Sequence, residues 1–394
     1  MKVIYLDNCA TTRVDDEVVD AMLPYLRENF GNPSSPHILG KHARRAVDAA
    51  TEAVADLLRA EPEDIVFTSG TTEGNNIALL GAFEHGDQAP INAVFTPTDH
   101  KSSLSVAQAL SNRGIDTRMV TVHPDGRVDL DSLAERLDTN TRIATTAWVN
   151  SEIGTIQPVE TISTRCRDVG CLLHVDATQA AGRIPIDVAD IDMLAISGHK
   201  MSGPKGVGAL YVRPDVRSRL RPIMFGGGQY ELRSGTVPTH LVVGLGKACE
   251  LAQERLAGNW KRAEHLRDLA VELITRNYPG ARVNGDPHVS VPHVLNVVLP
   301  GVRGESLVAG LHSVALATGS ACNSTSQEPS HVLRAIGLDT EDANSSIRLC
   351  FDPGMAPEEV ARGVTLVCER ALSLSGVAAG MLGEQPAVTP HATA

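Results

Sequence analysis

Three apolar runs in this chain end in residues able to do chemistry: "FTSGTTEGNN" (67–76), "LLHVDATQ" (172–179) and "AISGHKMSGPKG" (195–206). In the first, a strand pattern breaks at Gly70, and a helical pattern opens beyond Thr71 and Thr72. Small residues and the open N–H groups of a helix start suit an anion. It is not a Walker A loop, because no Gly-Lys-Ser/Thr follows. In the second, Asp176 leaves a buried-type strand and Gln179 follows it. Such a carboxylate needs a partner, either a protonated ring nitrogen or an arginine. In the third, Lys200 follows Ser197, Gly198 and His199 at a strand end. An amine held there among small neighbours can attack an aldehyde. Each motif alone has a plainer reading: a capped turn, a structural ion pair, a surface lysine. Lys205, five residues on, reads as a surface turn lysine.

Taken together, the three motifs supply a phosphate cradle, an acid for a pyridinium nitrogen and a lysine for an aldehyde. Those are the needs of pyridoxal phosphate. A fourth stretch, "ATGSACNSTSQEPSH" (317–331), adds a thiol. Cys322 sits among Gly319, Ser320, Ala321, Asn323 and Ser324, whereas free cysteines usually pack in apolar cores.

These residues must be positioned by a scaffold, and the hydrophobic pattern gives one. Residues 41–60 place Val47, Ala50, Val54, Leu57 and Leu58 on one helical face. "DIVFTSG", "INAVFTP", "TRMVTV", "RIATTAWV", "CLLHVDA", "DMLAIS" and "GVGALYVR" read as strands, and helical runs separate most of them. Such alternation predicts a mainly parallel sheet with helices on both faces. The character changes near residue 255, and a smaller α/β unit follows. The expected division is a large domain over 15–255, a small domain of 1–14 plus 256–375, and a loose Ala/Gly/Pro-rich tail over 376–394.

The 394 residues suffice for such a core without disulfides. Net charge is −12 with no long basic run, which argues against direct nucleic-acid or membrane-surface binding. Seven irregularly spaced cysteines without a CxxC pair fit a reducing cytoplasm and give no structural-zinc pattern. No segment has the apolar length of a signal peptide or membrane span, and the expected location is cytoplasmic.

In this order, "YLDNCATT", "FGNPSS", "FTSGTTEGNN", "TDHKSS", "NSEIG", "HVDATQ", "SGHKMSGPKG", "GGGQ", "RSGT", "GSACNS" and "SSIRLCF" resemble the cysteine desulfurases of the NifS/IscS-like branch. These are class V aminotransferase-type, fold-type I pyridoxal-phosphate enzymes. The resemblance implies a seven-stranded, mainly parallel sheet with a smaller C-terminal α/β domain. Lys200 would carry the cofactor's aldehyde as a Schiff base and then act as base. Asp176 would pair with the pyridinium nitrogen, and Gln179 would contact the phenolic oxygen. His100 would stack on the ring and handle protons. Thr71, Thr72, Ser197 and His199 would hold the phosphate, and Thr236 would reach the cofactor of the other subunit of a homodimer. Arg348 would clamp the carboxylate of L-cysteine. Cys322 would take its sulfur as a persulfide and pass it to acceptor proteins, leaving L-alanine.

Two positions depart from the family. It commonly has two asparagines before "EIG", whereas here the pair is Asn150–Ser151, and either could sit beside the ring. Cys9 stands where a serine or similar small residue is usual, and reads as a buried small residue. The other cysteines read as core or incidental. Iron–sulfur assembly, tRNA thiolation and DNA phosphorothioation all draw on this family, and the match is most similar to the phosphorothioation desulfurase. A selenocysteine lyase on the same fold and a non-catalytic sulfur-relay scaffold are the alternatives.

Overall fold

The computed structural model describes residues 3–83, 91–318 and 328–383, with side chains described through residue 376. Cys322 lies outside the described residues. The first part of the chain runs through β1 (Ile4–Tyr5), α1 (Asp16–Arg27), α2 (Ile38–Leu58), β2 (Ile65–Thr68), α3 (Thr71–Gly81), β3 (Asn92–Phe95), α4 (Lys101–Ser111) and β4 (Asp116–Met119). Then come α5 (Leu130–Arg136), β5 (Thr141–Ala147), α6 (Val159–Asp168), β6 (Leu172–Asp176), β7 (Met193–Ser197), β8 (Gly208–Val212) and α7 (Thr239–Asn277). The remainder holds β9 (Arg282–Val283), β10 (Val294–Val298), α8 (Gly304–Ala309), β11 (Val314–Ala315), β12 (Ala317–Thr318), α9 (His331–Ala335), α10 (Thr340–Asn344), β13 (Ser346–Cys350) and α11 (Pro357–Gly383).

The large sheet has seven strands in the order β2-β8-β7-β6-β5-β3-β4. Its central pairs are parallel, and β8 runs antiparallel to both β7 and β2. Two strands antiparallel to the same neighbour point the same way, so β2 and β7 end on the same side as β6. This collects the three motif-bearing strand ends at one edge, where open α/β sheets place their ligands. Every residue of β6, β7 and β8 is buried, as expected for strands covered on both faces.

A second sheet, β12-β13-β10-β9, is antiparallel, and β1 pairs with β11 beside it. Its core holds Ile4, Leu6, Leu295, Val297, Ile347 and Leu349. Alternation along β13 turns Ile347 and Leu349 to that core and puts Arg348 and Cys350 on the opposite face. Cys350 belongs instead to the core of the large sheet.

The sequence change near residue 255 falls inside a continuous helix. The buried residues of α7 run from Thr239 to Ala252, lapse, and resume at Ala263, Leu266, Ala270 and Ile274. Its first half packs on the large-sheet core and its second half on the other. The polar stretch between reads as a boundary because it crosses from one core to the next. Where α7 meets α2, a Cβ on Gly246 would lie 2.8 Å from the Ala50 Cα, so small residues set the approach. Helix α11 continues to Gly383, beyond the residue 376 at which the sequence suggested a loose tail. Ala, Met and Leu sustain helical backbone there without an amphipathic period.

Gly208 lets β8 pass beneath the turn after β2. A Cβ there would lie 2.4 Å from the Ile196 carbonyl oxygen and 2.8 Å from the Gly70 Cα. Gly208→Ala is expected to destabilise the protein by about 1–3 kcal/mol, measured by urea unfolding. Gly376→Ala, which meets nothing within 4 Å, serves as the near-neutral control.

Candidate active site

The three strand ends open on one cavity of about 580 Å³. Its walls include Thr71 and Thr72 from α3, His100 from the start of α4, Asp176 and Gln179 after β6, Ser197, His199 and Lys200 after β7, Ser151, and Arg348 from β13. Residues from both sheets therefore share one pocket.

At one end, α3 begins at Gly70 without a side-chain cap. Gly70 has φ 143°, a conformation suited to glycine, and a Cβ there would sit 3.4 Å from Ser197 Oγ. The open N–H groups of this helix start, with the hydroxyls of Thr71, Thr72 and Ser197, form a cradle for a phosphate. Thr178 Oγ1 donates to Thr71 Oγ1 at 2.6 Å. His199 lines the same region. Burial lowers its pKa to about 4, with the charges of Lys200 and Lys205 adding to the effect, so its imidazole is neutral. Lys205 is exposed, as expected of a turn lysine, yet it also lines the cavity rim.

Asp176 is held from two sides. Asn75 Nδ2 donates to its Oδ2 at 2.9 Å, and the Thr178 N–H donates to its Oδ1 at 3.0 Å. Asn75 is fully buried and also reaches Ser102 Oγ at 2.9 Å. It stood inside a quoted motif, but nothing in the sequence marked it as the bracket for the acid. Lys200 Nζ donates to the carbonyls of Cys9 and Ala10, at 2.6 and 2.8 Å. Phosphate cradle, acid and amine thus line a single cavity, and the residues present fit pyridoxal phosphate.

His100 caps α4. Its Nδ1 accepts from the Ser102 N–H at 3.1 Å and lies 2.8 Å from Ser102 Oγ. Burial lowers its pKa, against the opposing charge of Asp176, and the positive charge of Lys200 adds to the lowering. A neutral ring with Nδ1 accepting carries its proton on Nε2.

The Asn150–Ser151 pair divides its roles. Asn150 Oδ1 accepts from the N–H groups of Glu152 and Ile153, and its Nδ2 donates to the Thr98 carbonyl. It shapes the turn and does not line the cavity, whereas Ser151 does. Gln179 Nε2 donates to the Cys9 carbonyl at 3.0 Å, and its Oε1 accepts from Arg183. Thr236 is exposed and stands apart from the cavity walls.

Arg348 is buried, with Nη2 on Asp7 Oδ1 at 2.7 Å and Nη1 on the Ser151 carbonyl at 3.1 Å. Its Nε has no partner among the described residues. The sequence pointed to Arg348 but not to Asp7, which braces it from 341 residues away. Among the described residues no group of three or more His, Cys, Asp or Glu could hold a metal. No helix among them is long and apolar enough to cross a membrane.

Residues 4–362 match the Aminotransferase class-V family. The cysteine desulfurase of Rattus norvegicus is 44% identical over 364 residues, 91% of this chain and 81% of the relative. A structure described as a NifS-like protein superposes with a TM-score of 0.88 at 35% identity, covering 94% of this chain and 99% of that one. The crystal structure of DndA from Streptomyces lividans has a TM-score of 0.75 at 38% identity, over 89% of this chain and 100% of that one.

Glu152 gives the site a titration that stability can report. It is buried, and its Oε2 accepts from Ser330 Oγ at 2.5 Å. Burial raises its pKa to about 7, against the opposing pull of Ser330 and Arg348. Between the unfolded value of 4.5 and this folded value, only the folded protein keeps the proton. Stability from this group is therefore complete below pH 4.5 and falls as pH rises towards 7. Glu152→Gln stays neutral throughout. Relative to wild type, it is expected to gain up to about 3 kcal/mol between pH 5 and pH 8, read by urea unfolding at both values. A pH-independent difference would contradict this assignment.

Proposed function

Taking as premise that this chain belongs to the aminotransferase class-V family and is a pyridoxal-phosphate-dependent cysteine desulfurase, we propose how its residues divide the conversion of L-cysteine to L-alanine. The single observation that carries the reading is that Lys200, Asp176, the α3 start and Arg348 line one cavity. Bound pyridoxal phosphate supplies the electron sink that loosens the substrate's Cα proton and its carbon–sulfur bond.

The N–H groups at the α3 start, with Thr71, Thr72, Ser197 and neutral His199, hold the phosphate. Asp176, oriented by Asn75 and Thr178, keeps the ring nitrogen protonated. Ser151 would border the ring in place of an asparagine, while Asn150 fixes the turn that presents it. Gln179, held between Cys9 and Arg183, borders the ring's phenolic side. Lys200 would hold the cofactor's aldehyde, and its amine is the base placed to move the substrate's Cα proton. His100 would border the cofactor ring and carry a transferable proton on Nε2.

Arg348 takes the substrate carboxylate. Burial disfavours its charge, but the Asp7 carboxylate 2.7 Å away offsets this, so the guanidinium stays cationic. Cys322 accepts the sulfur as a persulfide and passes it to a separate acceptor protein of iron–sulfur assembly, tRNA thiolation or DNA phosphorothioation. The net charge of −12 supports a protein acceptor over direct contact with nucleic acid. A homodimer is supported by the exposed apolar side chains Ile223, Met224 and Phe225, ahead of Thr236, which would reach the other subunit's cofactor. The reducing cytoplasm suggested by the cysteine pattern is the proposed setting.

Two variants test this. Lys200→Ala is expected to lose both the cofactor's visible absorbance in its protein-bound form and alanine production. Cys322→Ser is expected to retain that absorbance and to lose alanine and sulfide formation by at least about a hundredfold. Full alanine production by Cys322→Ser would remove Cys322 from the mechanism.

A further inference from the structure

Behind Lys200 lies a pair of thiols for which the desulfurase reaction has no use. Cys9 lines the active-site cavity, and Cys350 packs with it in the same core. The main chain brings them together: the Cys350 N–H donates to the Leu6 carbonyl at 2.8 Å, Asn8 Nδ2 donates to the Cys350 carbonyl at 2.9 Å, and Asp7 bridges to Cys350. Each thiol bears on the ionisation of the other. Arg183 Nη1 also donates to Cys9 Sγ at 3.7 Å. Arg348, whose buried Nε has no partner among the described residues, is the other guanidinium acting on the pair.

We propose that Cys9 is a second reactive sulfur in the active site, an oxidation site for peroxide-class oxidants that closes onto Cys350 as an intramolecular disulfide. The environment separates the roles of the two thiols. Burial alone would raise the pKa of Cys9, but the influence of Cys350 and the charges of Arg183, Arg348 and Lys200 outweigh it and hold the thiol below its ordinary value. Cys350 is pushed the other way by burial and by its partner. Cys9, which faces the cavity and accepts from Arg183, is thus the nucleophile, and Cys350, fully buried and away from the cavity wall, is the resolving thiol.

In the first step, the Cys9 thiolate attacks one peroxide oxygen. The O–O bond breaks, hydroxide leaves, and Cys9 becomes a sulfenic acid. In the second, the Cys350 sulfur attacks Cys9, the S–O bond breaks, and water leaves with the Cys350 proton. The two sulfurs give up two electrons to the peroxide. The product pins the residue whose carbonyl receives Lys200 Nζ and Gln179 Nε2 to the strand that carries Arg348.

A second thiol pair provides an internal comparison. Cys166 and Cys171 are also buried and adjacent, the Cys171 N–H donating to the Cys166 carbonyl at 2.9 Å and its Sγ to the Leu172 carbonyl at 3.3 Å. The influence of Cys166 and burial, with a smaller contribution from the Asp192 charge, raise the Cys171 pKa. Among the described residues no guanidinium donates to either of these sulfurs, and the pair is expected to remain reduced.

The test uses full-length, cofactor-loaded Cys322→Ser protein, so that oxidation of Cys322 does not enter. After treatment with a few equivalents of hydrogen peroxide, free thiols are alkylated under denaturing conditions and peptides mapped by mass. The expected result is a peptide pair joined through Cys9 and Cys350, forming at least about tenfold faster than any Cys166–Cys171 link and disappearing on treatment with dithiothreitol. Adding Cys9→Ser should leave Cys350 as a free thiol. Recovery of both residues as thiols, Cys9 as sulfinic acid beside reduced Cys350, or oxidation of Cys350 without Cys9 would each overturn the proposal. The linked peptide in the parent protein is decisive even where the Cys9→Ser chain fails to fold.

Discussion

A guanidinium buried at the seam of two cores is the constraint around which the site is assembled. Arg348 leaves the small sheet, leans on Asp7 of the N-terminal segment and donates to the Ser151 carbonyl of the large domain. A buried charge of this kind is tolerable only when its partners are fixed in place. Holding them fixed sets the distance between the strand that supplies the carboxylate clamp and the bed that supplies Lys200 and Asp176. The N-terminal segment follows from the same requirement. It crosses from β1 in the small domain to the cavity wall, delivering the Cys9 and Ala10 carbonyls to Lys200 and the Thr12 hydroxyl to the Ser202 N–H.

The large sheet was legible because its chemistry sits where apolar runs stop. Asp176 and Lys200 each terminate a run of buried-type residues, and a charge at such a point has few structural reasons to be there. The strand pattern with intervening helices likewise gave the sheet. What the sequence could not show were contacts made across long separations. Asn75 reaches Asp176 over 101 residues, and Asp7 reaches Arg348 over 341. Neither carries a local signature, since an asparagine in a helix's second turn and an aspartate after a short strand are unremarkable.

The Asn150–Ser151 pair shows a different limit. Residue type named both as ring neighbours, but the turn uses the asparagine's oxygen to satisfy two backbone N–H groups. That leaves the serine facing the cavity. Local backbone demand decided between them, and only the geometry exposes it. Cys9 was legible as a small buried residue and sits buried as expected. Its setting was not, because Arg183 and Cys350 come from distant parts of the chain.

Helix α7 runs unbroken for 39 residues and is shared by both cores. At about 1.5 Å per residue it is a strut close to 60 Å long, anchored along both halves. The two sheets cannot rotate apart without bending this strut or peeling one core from it. Passage of the amino acid into the cavity, and escape of the smaller product, therefore fall to the rim of the pocket, while the body of the protein keeps its shape through the reaction.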